Sequence, residues 1–234
     1  MISFGIFLLV IGNFGCILAI CDSDYCSCDI SDDGVVAVMD VVCDGGDDGT
    51  LELTSEMLPT DAVSIRLSNF AMLTVDTHAL QGTSVLSTLE FLEIRDLILK
   101  ATIFTEEDES SSSYLESLML ENIGNLSLSG NTFDNAPQMT RVQFKNVSMN
   151  VVPSEAIKLH ADTMKFQDCT IGELHRESVY SDSVNFIFVG NSLGTIRNHG
   201  ISGSNNVFNF SFNHVEKLET NAFSVAFLTG DFTR

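Results

Sequence analysis

Pairs of apolar residues separated by a single residue recur along this chain at a nearly constant interval. The second residues of the pairs are Leu67, Ile94, Leu120, Phe144, Phe166, Phe188 and Phe210. The intervals between them are 27, 26 and 24 residues, and then 22 residues three times. Self-similarity with a period of this size is the sequence signature of a repeat architecture. We therefore expect seven stacked units rather than one globular core.

Each repeat has the apolar pattern of a short strand followed by a turn. In the last copy, Phe208 and Phe210 lie two residues apart, so they face the same side of a strand. Leu218 follows at the eighth place, and Ala222-Phe223 follow at the twelfth and thirteenth places. One such unit cannot bury its apolar side, whereas strands stacked about 4.8 Å apart can. The pattern predicts a solenoid built on a parallel sheet.

The spacing within the repeats resembles that of a known family. Residues 208–223 read F-x-F-x-x-N-x-V-x-x-L-x-x-x-A-F, which is similar to the extracellular leucine-rich-repeat consensus L-x-L-x-x-N-x-L-x-x-L-x-x-x-A-F, and residues 186–196 repeat its first part. The resemblance implies an α/β-type repeat solenoid. It would be a horseshoe with a parallel β-sheet on the concave face and mostly irregular or short helical loops on the convex side.

The repeats depart from this consensus at the asparagine position. The inward asparagine of the family is present only as Asn191 and Asn213. The equivalent places in earlier repeats hold Phe70, Leu97, Ile123, Val147 and Cys169. One position earlier lies a polar column of Asn69, Asp96, Asn122, Asn146 and Asp168. Because Asn and Asp tolerate the backbone of turns, we interpret this column as the turn that ends each strand.

The first twenty residues carry no charged side chain and are largely apolar. They resemble a secretory signal peptide cleaved after Ala19, although the usual basic start is missing. A membrane anchor is the alternative, and no other segment is apolar enough to span a membrane. We expect a protein that is secreted or lies on the extracellular side of the plasma membrane, without membrane insertion after signal removal.

Four clustered cysteines indicate a cap ahead of the repeats. Cys21, Cys26, Cys28 and Cys43 follow the pattern C-x4-C-x-C and then a single cysteine. Secretion favours disulfides over a zinc site, and the sequence alone allows three connectivities. The pattern resembles the cysteine-rich amino-terminal cap of extracellular leucine-rich-repeat proteins. That resemblance implies the pairs Cys21–Cys28 and Cys26–Cys43.

These features divide the chain into three parts. Residues 1–19 are the predicted signal peptide, residues 20–62 the cysteine-rich cap and residues 63–234 the leucine-rich repeats. The repeats number seven and a truncated eighth, and the acidic stretch 105–113 is interpreted as a loop within one of them.

Charge and motifs argue against several classes of function. The formal net charge of −21 opposes nucleic-acid binding, because no basic patch forms against such a field. The five histidines fall at different offsets in the repeats, and no hydrolase, metalloprotease or phosphate-loop motif is present. We expect no catalysis, no metal site and no cofactor. A right-handed β-helix carbohydrate-active enzyme is the less favoured alternative.

Recognition of an extracellular protein through the concave sheet is the function that these features favour. A mixed basic and apolar strip on an acidic protein would attract an acidic partner. The predicted binding face consists of Arg66, Glu93, Arg95, Met119, Arg141, Gln143, Lys145, Lys165 and Ile187. The alternative is a structural matrix protein that self-assembles, with a homo-oligomer formed through the uncapped carboxyl-terminal end.

Three sequons predict N-linked glycans at Asn125, Asn146 and Asn209. Asn125 is expected on the loop side, Asn146 at the end of a strand and Asn209 within a strand on the concave face. A glycan at Asn209 would move ligand binding to the more amino-terminal repeats or to the loop edges.

Overall fold

The computed structural model describes residues 20–32, 37–83, 85–104 and 114–233. The signal peptide predicted for residues 1–19 and the loop predicted for residues 105–113 lie outside the described residues. The strands are β1 (Cys26–Asp32), β2 (Ala37–Leu53), β3 (Ala62–Val75), β4 (Thr88–Leu92), β5 (Asp96–Leu99), β6 (Tyr114–Ile123), β7 (Asn125–Leu128), β8 (Gln138–Val152), β9 (Ile157–Gln167), β10 (Thr170–Leu174), β11 (Val179–Val189), β12 (Ser192–Ile196), β13 (Ile201–Ser211), β14 (His214–Leu218) and β15 (Phe223–Asp231).

Most of these strands stack in parallel, one coil on the next. The longest column has the order β2-β3-β4-β6-β8-β9-β11-β13-β15, and β1 pairs with β2 in the antiparallel sense at one edge. The coils make about eight turns of a β-solenoid. The prediction of a repeat solenoid with a parallel sheet is confirmed.

A complete coil contributes strand segments to three sheets. The front sheet contains the segments around the apolar pairs, such as Thr163–Gln167 of β9 beside Asn185–Val189 of β11. The back sheet contains β5 and β7 on the second half of β3, and β10, β12 and β14 on the second half of β8. The side sheet contains the first halves of β9, β11, β13 and β15.

The convex side differs from the leucine-rich-repeat expectation. No helix occurs in the described ranges, and stretches expected to be irregular or helical form the back and side sheets. Each coil carries further apolar pairs that point inward, such as Ile171 with Leu174 in the back sheet and Ile157 with Leu159 in the side sheet. Pleated, half-buried segments of this kind favour strand. The structure is therefore an all-β solenoid rather than an α/β-type horseshoe.

A column of phenylalanine rings runs through the core along the solenoid axis. The ring centroids of Phe144 and Phe166 are 4.6 Å apart, and those of Phe166 and Phe188 are 4.5 Å apart. The ring planes differ by only 4° and 10° in the two pairs, and all three side chains are fully buried. The constant repeat thus places the same ring over the same ring in successive coils, which adds stacking to apolar burial.

The strand position was predicted wrongly in the third coil. Leu92 and Ile94 were expected as its inward pair, but Leu89 and Phe91 align with the inward pairs of both neighbouring coils and are fully buried. Glu93 has a φ of +55°, so the chain turns there and Ile94 fills the interior place beyond the turn. The prediction was displaced by three residues.

Each front strand ends at a residue in the left-handed backbone conformation, and these residues form a column. Its members are Asn69, Glu93, Asn122, Asn146, Asp168, Gly190 and Phe212. The turn interpretation of the polar column is confirmed for four of its five predicted residues, since each of the four has a positive φ. Asn and Asp suit these places because they adopt this backbone conformation at low cost. The fifth, Asp96, belongs to the back sheet, where its Oδ1 accepts a hydrogen bond of 3.2 Å from Asn125 Nδ2.

Two asparagines form a ladder of hydrogen bonds, here named the asparagine ladder (Asn191 and Asn213). Asn191 Oδ1 accepts from the backbone N–H of Cys169 at 2.8 Å, and its Nδ2 donates to the carbonyl of Phe166 at 3.1 Å. Asn213 repeats both bonds one coil later, to the N–H of Asn191 at 2.9 Å and the carbonyl of Phe188 at 3.0 Å. The ladder satisfies backbone groups that the turn leaves without a strand partner.

The cysteine-rich segment forms the first coil of the solenoid. Disulfides join Cys21 to Cys28 and Cys26 to Cys43, which confirms the pairing that the family resemblance implied. Cys43 is fully buried and lies opposite Leu67 in the next coil. The cap therefore stacks directly on the repeats and covers their amino-terminal end, as terminal units of a solenoid must.

Candidate binding surface

The outer side of the front sheet, here named the front face, brings together seven of the nine predicted binding residues. In its middle row, Met119 pairs with Gln143, Gln143 with Lys165 and Lys165 with Ile187. The seven residues are Arg66, Met119, Arg141, Gln143, Lys145, Lys165 and Ile187. Stacking with one residue per coil creates this row, since outward positions repeat at the same place in every strand.

The two other predicted residues do not lie on this face. Glu93 occupies the turn and Arg95 lies beyond it, because the third coil is displaced by three residues. Glu90 takes the middle position instead, between Arg66 and Met119. Its place between Leu89 and Phe91 is a signal of the same strength as that of Glu93 between Leu92 and Ile94, and only alignment with the neighbouring coils decides between them.

Two of the basic residues on the front face are neutralised by neighbouring carboxylates. Arg66 Nε lies 2.7 Å from Glu90 Oε2, and Lys145 Nζ lies 2.6 Å from Glu121 Oε1. Arg141 and Lys165, on adjacent strands, form no ion pair or side-chain hydrogen bond with any described residue. These two cations are the predicted basic residues of the front face that no described carboxylate neutralises.

Apolar side chains continue the row beside the cations. Met119 and Ile187 are partly exposed in the middle row, and Val189 lies two residues after Ile187 on the same strand. Val207, on the next strand, is 37% exposed. The front face therefore places partly exposed apolar side chains next to two unpaired cations.

The three sequons occupy different surroundings. Asn125 and Asn146 are exposed, and each side-chain amide donates to a neighbour, Asp96 and Asn122 respectively. Asn209 lies in the middle row of the front face, and its Oδ1 is buried without a hydrogen-bond partner among the described residues. Glycan occupancy at all three asparagines stays a prediction.

Groups suited to metal or nucleophilic chemistry are scattered. Across the described ranges, no three His, Cys, Asp or Glu side chains are placed to hold a metal ion. His160 Nδ1 lies 3.8 Å from Asp182 Oδ2, and His175 Nε2 lies 3.4 Å from Glu173 Oε1. The first pair lies on the side sheet and the second at the back sheet, so the two pairs do not form one site. Cys169 is buried, and this burial raises the pKa of its thiol to about 11.

Cys169 is expected to resist thiol-specific reagents in the folded protein. Its raised pKa leaves almost no thiolate at pH 8, and the thiolate is the reactive form. Titration with a chromogenic disulfide reagent, with Cys169→Ala as the blank, should show no fast-reacting thiol until guanidinium unfolds the chain. Because the folded pKa lies above the usual 9.0, the free energy of unfolding should fall as pH rises from about 9 to about 11. Rapid reaction at pH 8 in the native state would contradict the buried position.

Comparison of the chain with models of protein families, with curated proteins and with solved structures finds no match. In the part of the chain that the structure describes, no helix is both long and apolar enough to cross a membrane.

Proposed function

We propose that this protein is an extracellular recognition module of the leucine-rich-repeat type, and that it binds an acidic protein partner through the front face. The observation that carries the proposal is the pair of unneutralised cations, Arg141 and Lys165, beside outward apolar side chains. The disulfide-linked first coil supports an oxidising, extracellular location. The asparagine ladder, together with the consensus at residues 208–223, supports the family relationship.

The rarity of free cations on this chain strengthens the argument. Among the described residues, six of the ten Lys and Arg side chains form ion pairs. The four others are Arg141, Lys158, Lys165 and Lys217. Two of these four lie on adjacent strands of one face, on a chain with a net charge of −21. A local cationic strip in an acidic field directs an acidic partner to one surface and fixes its register.

Reversing the charge of the front face is expected to abolish selective binding. Purified extracellular domains, immobilised on a biosensor, would be screened for saturable binding to the full chain. Lys165→Glu and Arg141→Glu should each lower the affinity for the partner about tenfold or more, because each places a negative charge opposite the acidic partner. Affinity of the unmodified chain should also fall as salt rises.

Lys217→Glu is the matched control. Lys217 is exposed on the back sheet, and its substitution changes the net charge by the same amount as each front-face variant. It should alter the affinity less than about twofold. The proposal would be disproved if Lys217→Glu lowered the affinity for the partner as much as the front-face variants do. It would also be disproved if neither front-face variant changed that affinity.

A further inference from the structure

Three adjoining clefts lie over the side sheet, a surface that the sequence pattern did not single out. A cleft of about 510 Å³ follows the bends of β9, β11 and β13. Two more, of about 390 Å³ and 320 Å³, lie beside it. The third shares His160 with the first and Lys158 with the second, and residues 133–136 of the preceding coil form its wall. Each volume is in the range of small-molecule sites.

The largest cleft is lined by polar groups with open hydrogen-bonding capacity. His160 and Asp182 are each about half exposed, and their side chains lie 3.8 Å apart on adjacent strands. Asp162, Ser204 and Asn206 extend the lining, and their side chains form no hydrogen bond with any residue in the described ranges. Carboxylate, hydroxyl, amide and imidazole together offer both donors and acceptors.

The second cleft adds an aromatic surface to this lining. Tyr180 is partly buried there, between Lys158 and Ser202 in neighbouring coils, and its ring contacts His160 edge-on with centroids 6.2 Å apart. Glu155 and Glu177 lie at the adjoining corner. A ring with an apolar face and a polar tip, surrounded by hydrogen-bonding groups, suits a ligand that has both characters.

We infer that these clefts form one binding site for a neutral, unbranched oligosaccharide that lies along the solenoid axis. Sugar hydroxyls both donate and accept, as this lining requires, and the apolar face of a sugar ring packs on an aromatic ring such as Tyr180. The polar positions recur once per coil, at about 4.8 Å, so they suit an extended polymer with regularly spaced hydroxyls. The inference does not depend on the function proposed for the front face.

The charge of the lining selects among saccharides. Five carboxylates line the three clefts, from Asp134, Glu155, Asp162, Glu177 and Asp182, against the single ammonium of Lys158, and Glu177 is also paired with Arg176 outside the lining. A net negative site of this kind repels sulfated and uronic-acid polymers. Among uncharged chains, the carboxylates accept hydrogen bonds from hydroxyls, and such charge-assisted bonds are stronger than neutral ones.

The test titrates the full chain with cellohexaose, xylohexaose, mannohexaose and laminarihexaose by calorimetry. The chain has no tryptophan and three tyrosines, so tyrosine fluorescence gives a second readout sensitive to Tyr180. At least one neutral hexamer should bind, and a heparin hexasaccharide should not. Tyr180→Ala and Asp182→Asn should each weaken that binding about tenfold, from a lost ring contact or a lost charge-assisted hydrogen bond.

Asp47→Asn is the matched control, because it removes an exposed carboxylate outside the clefts, at a left-handed position that asparagine tolerates, and creates no sequon. It should leave the affinity within about twofold. Circular dichroism melting would verify that all three variants fold. Failure of every neutral hexamer to bind at millimolar concentration, preferential binding of the heparin fragment, or equal weakening by Asp47→Asn would each overturn the inference.

Discussion

Replacing Phe166 with alanine is expected to lower the free energy of unfolding by about 4 kcal/mol. The ring is fully buried and lies between Phe144 and Phe188 at centroid distances of 4.6 Å and 4.5 Å. Its removal leaves a cavity in the middle of a stack, and the rigid coil spacing prevents the neighbours from closing it. Both flanking coils lose contacts, so the damage extends beyond one repeat.

The loss would be measured by urea unfolding followed by circular dichroism, with hydrogen exchange to locate it. Exchange should accelerate in the strands that carry Phe144 and Phe188 as well as in the substituted strand. Phe212→Ala is the matched control, because Phe212 is 65% exposed. This substitution should lower the free energy of unfolding by less than about 1 kcal/mol. Similar losses in the two variants would show that the ring column does not hold the coils together.

Replacing Gly203 with alanine is expected to lower the free energy of unfolding by about 4 kcal/mol, through backbone strain and steric overlap together. Gly203 has a φ of +145°, a conformation that side-chain-bearing residues rarely adopt. A methyl group there would also overlap the carbonyl of Ser181 in the preceding coil. Neither problem has a local solution, because the carbonyl belongs to the adjacent strand of the side sheet.

Gly46→Ala separates backbone strain from steric overlap. Gly46 also has a positive φ, of +58°, but no atom lies within 4 Å of the added methyl group. Only the left-handed penalty remains, about 1 kcal/mol. Thermal and urea unfolding of the two variants should therefore differ by about 3 kcal/mol. Equal stability of the two variants would mean that the coils separate easily enough to accommodate the methyl group.

The front sheet was predictable from the sequence where the alternation is unambiguous. Phe208 is fully buried and Phe210 packs against the same core, as their spacing of two predicts. The third coil failed because its sequence, LEFLEIRDLIL, offers several apolar pairs at the same spacing. Alternation gives no reason to prefer Leu89 and Phe91 to Leu92 and Ile94. The choice depends on alignment with neighbouring coils, which is a tertiary effect.

The side sheet was missed, although its signal is present. Ile157, Leu159 and Ala161 alternate with exposed residues, and the pattern recurs 22 residues later around Val179. The leucine-rich-repeat consensus assigns this stretch to a loop, and that expectation obscured the alternation. The clefts lie on this sheet, so His160 and Tyr180 were not recognised as members of one surface. Their proximity follows from the parallel register of β9 and β11, in which Tyr180 pairs with Lys158 and His160 pairs with Asp182.

The asparagine ladder has a direction. Each amide bonds to the coil before its own: Asn191 completes the hydrogen bonding of Phe166 and Cys169, and Asn213 that of Phe188 and Asn191. A coil therefore reaches its full set of hydrogen bonds only when the next one has been added. Because the disulfide-linked first coil is synthesised first, this part of the solenoid can grow on the ribosome in the order of translation. Each arriving repeat consolidates the repeat that preceded it.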